Sequence, residues 1–138
     1  MVNGETVADG EEATTTLFNQ MFPVHISRTS VSADLSGSAV TLVCIHAERA
    51  LTLKKATLLY TEASSADAGI TLEIGKESDR DYYYTGTSEI SKSVWYSKDL
   101  DLLQTSVTAG DTVTFYSPGS KSGAGEVMLI IEYYYTVS

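Results

Sequence analysis

The sequence predicts an all-β protein: a single antiparallel β-sandwich of jelly-roll type with a flexible N-terminal arm. Apolar and polar residues alternate with a period of two over most of the chain, the pattern of half-buried strands. Clusters of Gly, Ser and Asp punctuate these runs, and no long amphipathic helix or solenoid-length repeat is visible. Thr, Val, Ile and Tyr are plentiful whereas prolines number only two, a bias towards strands. About eight short strands separated by turns make a sandwich or a barrel, and among these the jelly roll is our choice.

Residues 1–20 carry Glu5, Asp9, Glu11 and Glu12 and no base, and only Leu17 and Phe18 offer apolar anchors. This stretch reads as an arm, flexible alone and ordered against a neighbour. The sandwich domain is expected to occupy residues 21–138.

Phe22, Val24 and Ile26 alternate with Met21, Pro23, His25 and Ser27, which suggests a first strand. Pro23 cannot donate a ladder hydrogen bond, so that strand is expected to lie at an edge or to begin there. SADLSGS (32–38) reads as a loop. VTLVCIHA (40–47) is apolar on both faces, as a buried strand would be. LTLKKATLLYTEA reads as a strand bent near Lys54 and Lys55, and SSADAG supplies a turn. In ITLEI, Ile70, Leu72 and Ile74 alternate with Thr71 and Glu73, and Gly75 closes the strand.

Asp79, Arg80 and Asp81 read as an exposed loop, and Tyr82 to Tyr84 as the beginning of a strand. SEISKSVWYS fits a strand, an irregular excursion or a single helical turn. Leu100 and Leu102 face one way, Asp99 and Asp101 the other. Ala109-Gly110-Asp111 is a turn signal, after which Val113 and Phe115 alternate with Thr112, Thr114 and Tyr116. SPGSKSGAG (117–125) is a long connection. In the closing EVMLIIEYYYTVS, Val127, Leu129, Ile131, Tyr133, Tyr135 and Val137 form a row directed at the core. Met128, Ile130 and Tyr134 make the opposite row too apolar to stay wet. Those three, with Leu17 and Phe18, are the expected subunit-interface residues, covered by a neighbouring subunit or by the N-terminal segment.

A chain of 138 residues can bury a core without disulfides or metal, and 43% hydrophobic with 20% charged residues is globular composition. The net charge of −9 is spread along the chain, and the only adjacent bases are Lys54 and Lys55. That argues against a nucleic-acid partner, which needs a basic patch. Cys44 is the single cysteine, so no intrachain disulfide forms. The N-terminus lacks the basic and apolar regions of a signal peptide, and the aliphatic run Val127–Ile131 is too short to span a membrane. The expectation is a soluble protein made in the cytoplasm, without a membrane partner.

Candidate chemistry is sparse, and no catalytic, cofactor or metal residues are expected. Cys44 and His46, two apart in one strand, share a face and raise the question of a thiolate–imidazole pair, but no orienting third group follows. Cysteine also packs as a small hydrophobe. The two histidines, His25 and His46, are too few and too separated for a histidine-rich metal centre. Glu77, Asp79, Asp81 and Glu89 concentrate oxygen ligands in the acidic loop 77–89, but Arg80 intervenes and calcium-loop spacing is missing. Trp95, Tyr96 and Tyr82 to Tyr84 suit a sugar-stacking platform, or equally a core or a protein interface. Gly119, Gly123 and Gly125 lack the Lys-Ser/Thr and helix of a phosphate cradle.

ADAGITLEIG (66–75), VTAGDTVTFY (107–116) and GAGEVMLIIEYYY (123–135) resemble the jelly-roll-like decoration, or auxiliary capsid, proteins of tailed-bacteriophage heads. The resemblance covers residues 40–137 and rests on strand-and-turn motifs. It implies a protein without catalysis that binds the outside of a phage shell, against the major capsid protein, often as a trimer, and reinforces subunit joints. It places the chain in the virion, at the capsid surface. The alternative is a carbohydrate- or receptor-binding module of a fibre or spike.

Overall fold

The inner faces of two antiparallel sheets enclose the core in a computed structural model that describes residues 25–136. The strands, in chain order, are β1 (Ser27–Asp34), β2 (Val40–His46), β3 (Leu51–Tyr60), β4 (Thr71–Lys76), β5 (Asp79–Thr87), β6 (Ser97–Asp99), β7 (Ser106–Val107), β8 (Thr112–Ser117) and β9 (Glu126–Tyr135). One sheet runs β1-β9-β3-β6, with β7 also paired to β3, and the other runs β2-β8-β4-β5. The described residues contain no helix, and the protein is an all-β sandwich.

The closing strand β9 lies in the middle of its sheet, between β1 and β3. Val127, Leu129 and Ile131 are buried, as the alternation predicts. They meet Leu72, Ile74, Val113 and Phe115 from the other sheet, with Leu58 and Tyr60 of β3 beside them. Tyr133 is half-buried against this cluster. Tyr135 departs from the expected core row and is 38% exposed, because the facing sheet no longer covers this end. Its ring stacks edge-on to Tyr133, centroids 5.9 Å apart, and the guanidinium of Arg49 lies 4.3 Å above it. Val137 and the residues before His25, including Phe22, Val24, Leu17 and Phe18, lie outside the described residues.

Two β-bulges account for runs that break the period of two. In β3 the register with β9 shifts between Leu53 and Lys55. Lys54 is the extra residue, so both lysines face water and Ala56, Leu58 and Tyr60 return to the core. The bend expected at Lys54 and Lys55 is this bulge. In β2 the register with β8 shifts between Val43 and Ile45, which sends Cys44 and Ile45 inward in succession.

Several expectations are corrected. β1 includes Ser32–Asp34, which read as loop, because its polar residues stand on the solvent side while Ala33 is buried. β2 is an edge strand and not a buried one, and its Val43 is 58% exposed. β4 runs one residue past Gly75, where a side chain would overlap the backbone of Asp79 and Arg80. β5 begins at Asp79, within the expected loop, because a register shift near Gly75 lets the exposed segment Asp79–Asp81 stay in the strand. Leu100 and Leu102 pack inward but sit in the connection after β6, not in a strand.

Candidate interaction surfaces

The bulge in β2 separates the two residues of the thiol–imidazole reading. Cys44 turns inward, its Sγ 3.7 Å from the carbonyl oxygen of Leu42, whereas His46 is exposed on the other side. Burial pushes the Cys44 thiol up to about 12, the reverse of an activated thiolate. The expectation of a shared face fails because the extra residue inverts the alternation.

The acids of the 77–89 stretch are not brought together either. Glu77, Asp79 and Asp81 lie along the β4–β5 turn and the start of β5, where a hydrogen bond with Asp81 raises the Asp79 carboxyl. Glu89 lies beyond the far end of β5, paired with Lys98 at 2.7 Å. Among the described residues no three His, Cys, Asp or Glu side chains converge as metal ligands.

Of the five aromatics expected to suit a sugar platform, four are engaged with the core. Tyr83 and Tyr84 are buried, and Tyr82 and Tyr96 pack against the core. Tyr60 takes the Tyr96 ring at 6.0 Å between centroids, and Lys92 covers it at 4.5 Å. Trp95 alone projects, 69% exposed, with exposed Ile90 and Val94 on the same β5–β6 connection. It is the third residue of a turn closed by the Tyr96 amide donating to the Ser93 carbonyl at 3.2 Å, and its φ is +74°. Positive φ at this position defines a type II turn, which favours glycine.

This connection is braced on both sides. The Trp95 amide donates to the Tyr60 carbonyl at 2.7 Å, and Ser64 and Lys92 exchange backbone hydrogen bonds. The Glu89 amide donates to the Tyr60 hydroxyl at 2.6 Å, and the Ser64 hydroxyl donates to the Glu89 carbonyl at 2.9 Å. The tip is therefore held, not frayed.

The second surface is the outer face of the β1-β9-β3-β6 sheet. Met128 lies between Ser32 and Leu59, and Ile130 between Ser30 and Thr57, so a half-buried apolar centre is framed by hydroxyls. Arg28, Thr29, Ser30, Met128 and Ile130 line an open groove of about 560 Å³. One end is an ion cluster, in which Glu132 accepts from Arg28 at 2.8 Å and lies 3.7 Å from Lys54. The Arg28 hydrogen bond, above all, lowers the Glu132 pKa. At the other end Asp34 and Glu126 stand directly opposite one another. Tyr134, opposite Thr52, is half-buried on the same side. Tyr134 thus points away from Tyr133 and Tyr135, and the three consecutive tyrosines form no cluster.

The outer face of the other sheet differs in kind. Thr41, Thr85, Thr112, Thr114, Glu73 and Tyr116 are its cross-strand neighbours, with Arg80 set 4.8 Å over the Tyr116 ring and 3.6 Å from Glu73. It is hydroxyl-rich, and its exposed aliphatic, Val43, stands at the β2 edge opposite Thr114.

This sandwich has counterparts in phage shells. A chain of the cyanophage Pam1 capsid asymmetric unit superposes with a TM-score of 0.60 at 17% identity, covering 94% of this chain and 92% of that one. A chain of the acid-stable capsid of Helicobacter pylori bacteriophage KHP30 gives 0.55 at 12% identity, covering 79% and 86%. A chain of the Ralstonia phage GP4 capsid gives 0.53 at 12% identity, covering 85% and 87%. At these identities the likeness is one of fold. No protein-family model and no curated sequence matches the chain.

The alternation in β9 places Met128 and Ile130 on the outer face, as observed, but periodicity gives no sign of the Trp95 turn. A strained turn leaves no periodic trace. The only signal available was a large apolar pair, Val94-Trp95, inside a Ser- and Lys-rich stretch.

Proposed function

We propose that this chain is a non-enzymatic structural protein of a phage particle, a decoration protein that binds the outer capsid surface and stabilises it. The observation that carries this reading is the extent of the Pam1 likeness, which spans nearly the whole of both chains. The strand order supports it further: β1-β9-β3-β6 facing β2-β8-β4-β5 is the order we read as a jelly roll, a fold used in viral capsids. In this reading residues 1–20 are an arm and residues 21–138 the domain. The partner is the major capsid protein, the working form is a homotrimer, and synthesis takes place in the host cytoplasm. The outer face with Met128, Ile130 and Tyr134 supplies subunit contacts, and the hydroxyl-rich face is suited to solvent.

Mass spectrometry of purified virions, followed by image reconstruction of the particle, tests this. The chain is expected in stoichiometric copies on the outside of the shell, clustered in threes. Virions without it would end the proposal.

A further inference from the structure

We propose that copies of this chain associate head to tail, the Trp95 turn of one seating in the Met128–Ile130 groove of the next. The inference rests on the homo-oligomeric part of the function proposed above and not on the capsid location. Trp95 carries two costs that nothing among the described residues offsets: an exposed indole and a positive φ in a non-glycine residue. Such local violations collect at functional positions, and Trp is enriched among interface anchors. Braced turns and the flanking Val94 and Ile90 make it a preformed apolar knob.

The groove is the matching hole on the same molecule. Its floor is the Met128 and Ile130 side chains, and its rim beyond Met128 is acidic, with Asp34 and Glu126 making no salt bridge among the described residues. The Ser36 amide and hydroxyl donate to the Asp34 carboxylate at 3.1 and 2.8 Å. The knob brings Lys92, on the same connection as Trp95. This local complementarity matters because copies carrying a net charge of −9 repel at long range. The same charge disfavours an anionic membrane as the occupant, and the core packing of Tyr82 to Tyr84 and Tyr96 disfavours a sugar. A knob and a hole at different places make a heterologous contact, which closes into a ring when the rotation between copies allows it.

Trp95 is the only tryptophan, so its emission reports on this one contact. Light scattering and tryptophan emission of the full chain, read together across a dilution series, are expected to show an oligomer with blue-shifted emission that reddens on dissociation. Trp95→Gly, which suits the turn, should be monomeric at concentrations where the parent is not. Glu126→Lys and Lys92→Glu should each weaken association roughly tenfold, and the double variant should restore it. A parent that is monomeric throughout, an oligomer indifferent to Trp95→Gly, or emission unchanged on dissociation would overturn the proposal. Emission that shifts only when emptied phage shells are added would also overturn it while leaving the proposed function standing. A shift only on anionic vesicles would overturn it in favour of a membrane. Association through Trp95 by a chain absent from virions would do the reverse, keeping the contact and ending the capsid role.

Discussion

Trp95 and Gly110 hold the same position in turns of the same kind. Each is the third residue of a turn closed from fourth amide to first carbonyl, Tyr96 to Ser93 at 3.2 Å and Asp111 to Thr108 at 3.0 Å, with φ of +74° and +95°. Glycine takes this conformation freely, whereas a side chain costs about 1–2 kcal/mol there. Trp95→Gly should therefore stabilise the isolated chain, by up to about 1 kcal/mol once glycine's greater unfolded-state entropy is subtracted. Urea unfolding followed by circular dichroism checks the sign. A loss of stability would mean that the indole is supported within its own chain.

Tyr60 is expected to set the rigidity of the Trp95 connection. Its hydroxyl accepts from the Glu89 amide, and Tyr60→Phe leaves that amide without its acceptor. The cost should be about 1–3 kcal/mol in stability. Amide hydrogen exchange should speed up at Glu89 and neighbouring positions while the β9 core stays protected.

Alkali should weaken the fold through buried acids. Burial first, then the nearby Asp111 and Tyr82, raise Tyr83 from 10.0 to about 12, and burial raises Cys44 from 9.0 to about 12. The unfolded chain releases these protons first, so stability is complete below about pH 9 and falls as pH rises towards about 12. The urea midpoint should be flat near neutrality and decline above about pH 9, and Cys44→Ala should remove the earliest part of the decline. Tyr83→Phe has a further effect. Among the described residues the Tyr83 hydroxyl is buried without a hydrogen-bond partner, so deleting it should raise stability at neutral pH by roughly 1 kcal/mol.

The two faces of β9 should respond differently to truncation. Leu129 is fully buried, and Leu129→Ala should cost about 2–5 kcal/mol by leaving a cavity. Met128, its neighbour on the outer face, is only half-buried in the single chain. Met128→Ala should cost less than Leu129→Ala in a monomer, and its main effect should be weaker self-association. Equal losses of stability would argue against the outer face being a contact surface.

Much of the fold was legible because the period of two survives wherever one face is buried. ITLEI, TVTFYS and EVMLII state their inward rows openly, and Lys54-Lys55 marked its own bulge. Legibility failed where burial stopped following the alternation. β1 is mostly polar because it is an edge strand, and VTLVCIH reads as buried although its outer side faces water. Cys44 and His46 seemed to share a face because a bulge without two charges to mark it cannot be seen in a sequence. The aromatic platform failed for a similar reason: Tyr82 to Tyr84 span a register shift, so adjacent rings, Tyr83 and Tyr84, both turn inward.

The place of β9 bears on how the chain folds. Arg28 and Glu132 pair across 104 residues, and β9 joins β1 to β3 along its whole length. Until β9 is added, among the described residues β1 has no partner in its sheet and β3 pairs only with the short β6 and β7. Such a high contact order places folding on the slow scale of β-sandwiches, about milliseconds to seconds, because distant segments must meet before any contact repays the closure. Of the nine strands among the described residues β9 is made last, so the order of synthesis does not bring β1 and β3 together any sooner. A nascent chain short of β9 thus lacks Met128 and Ile130, and the face they form cannot take part in any contact before β9 is added.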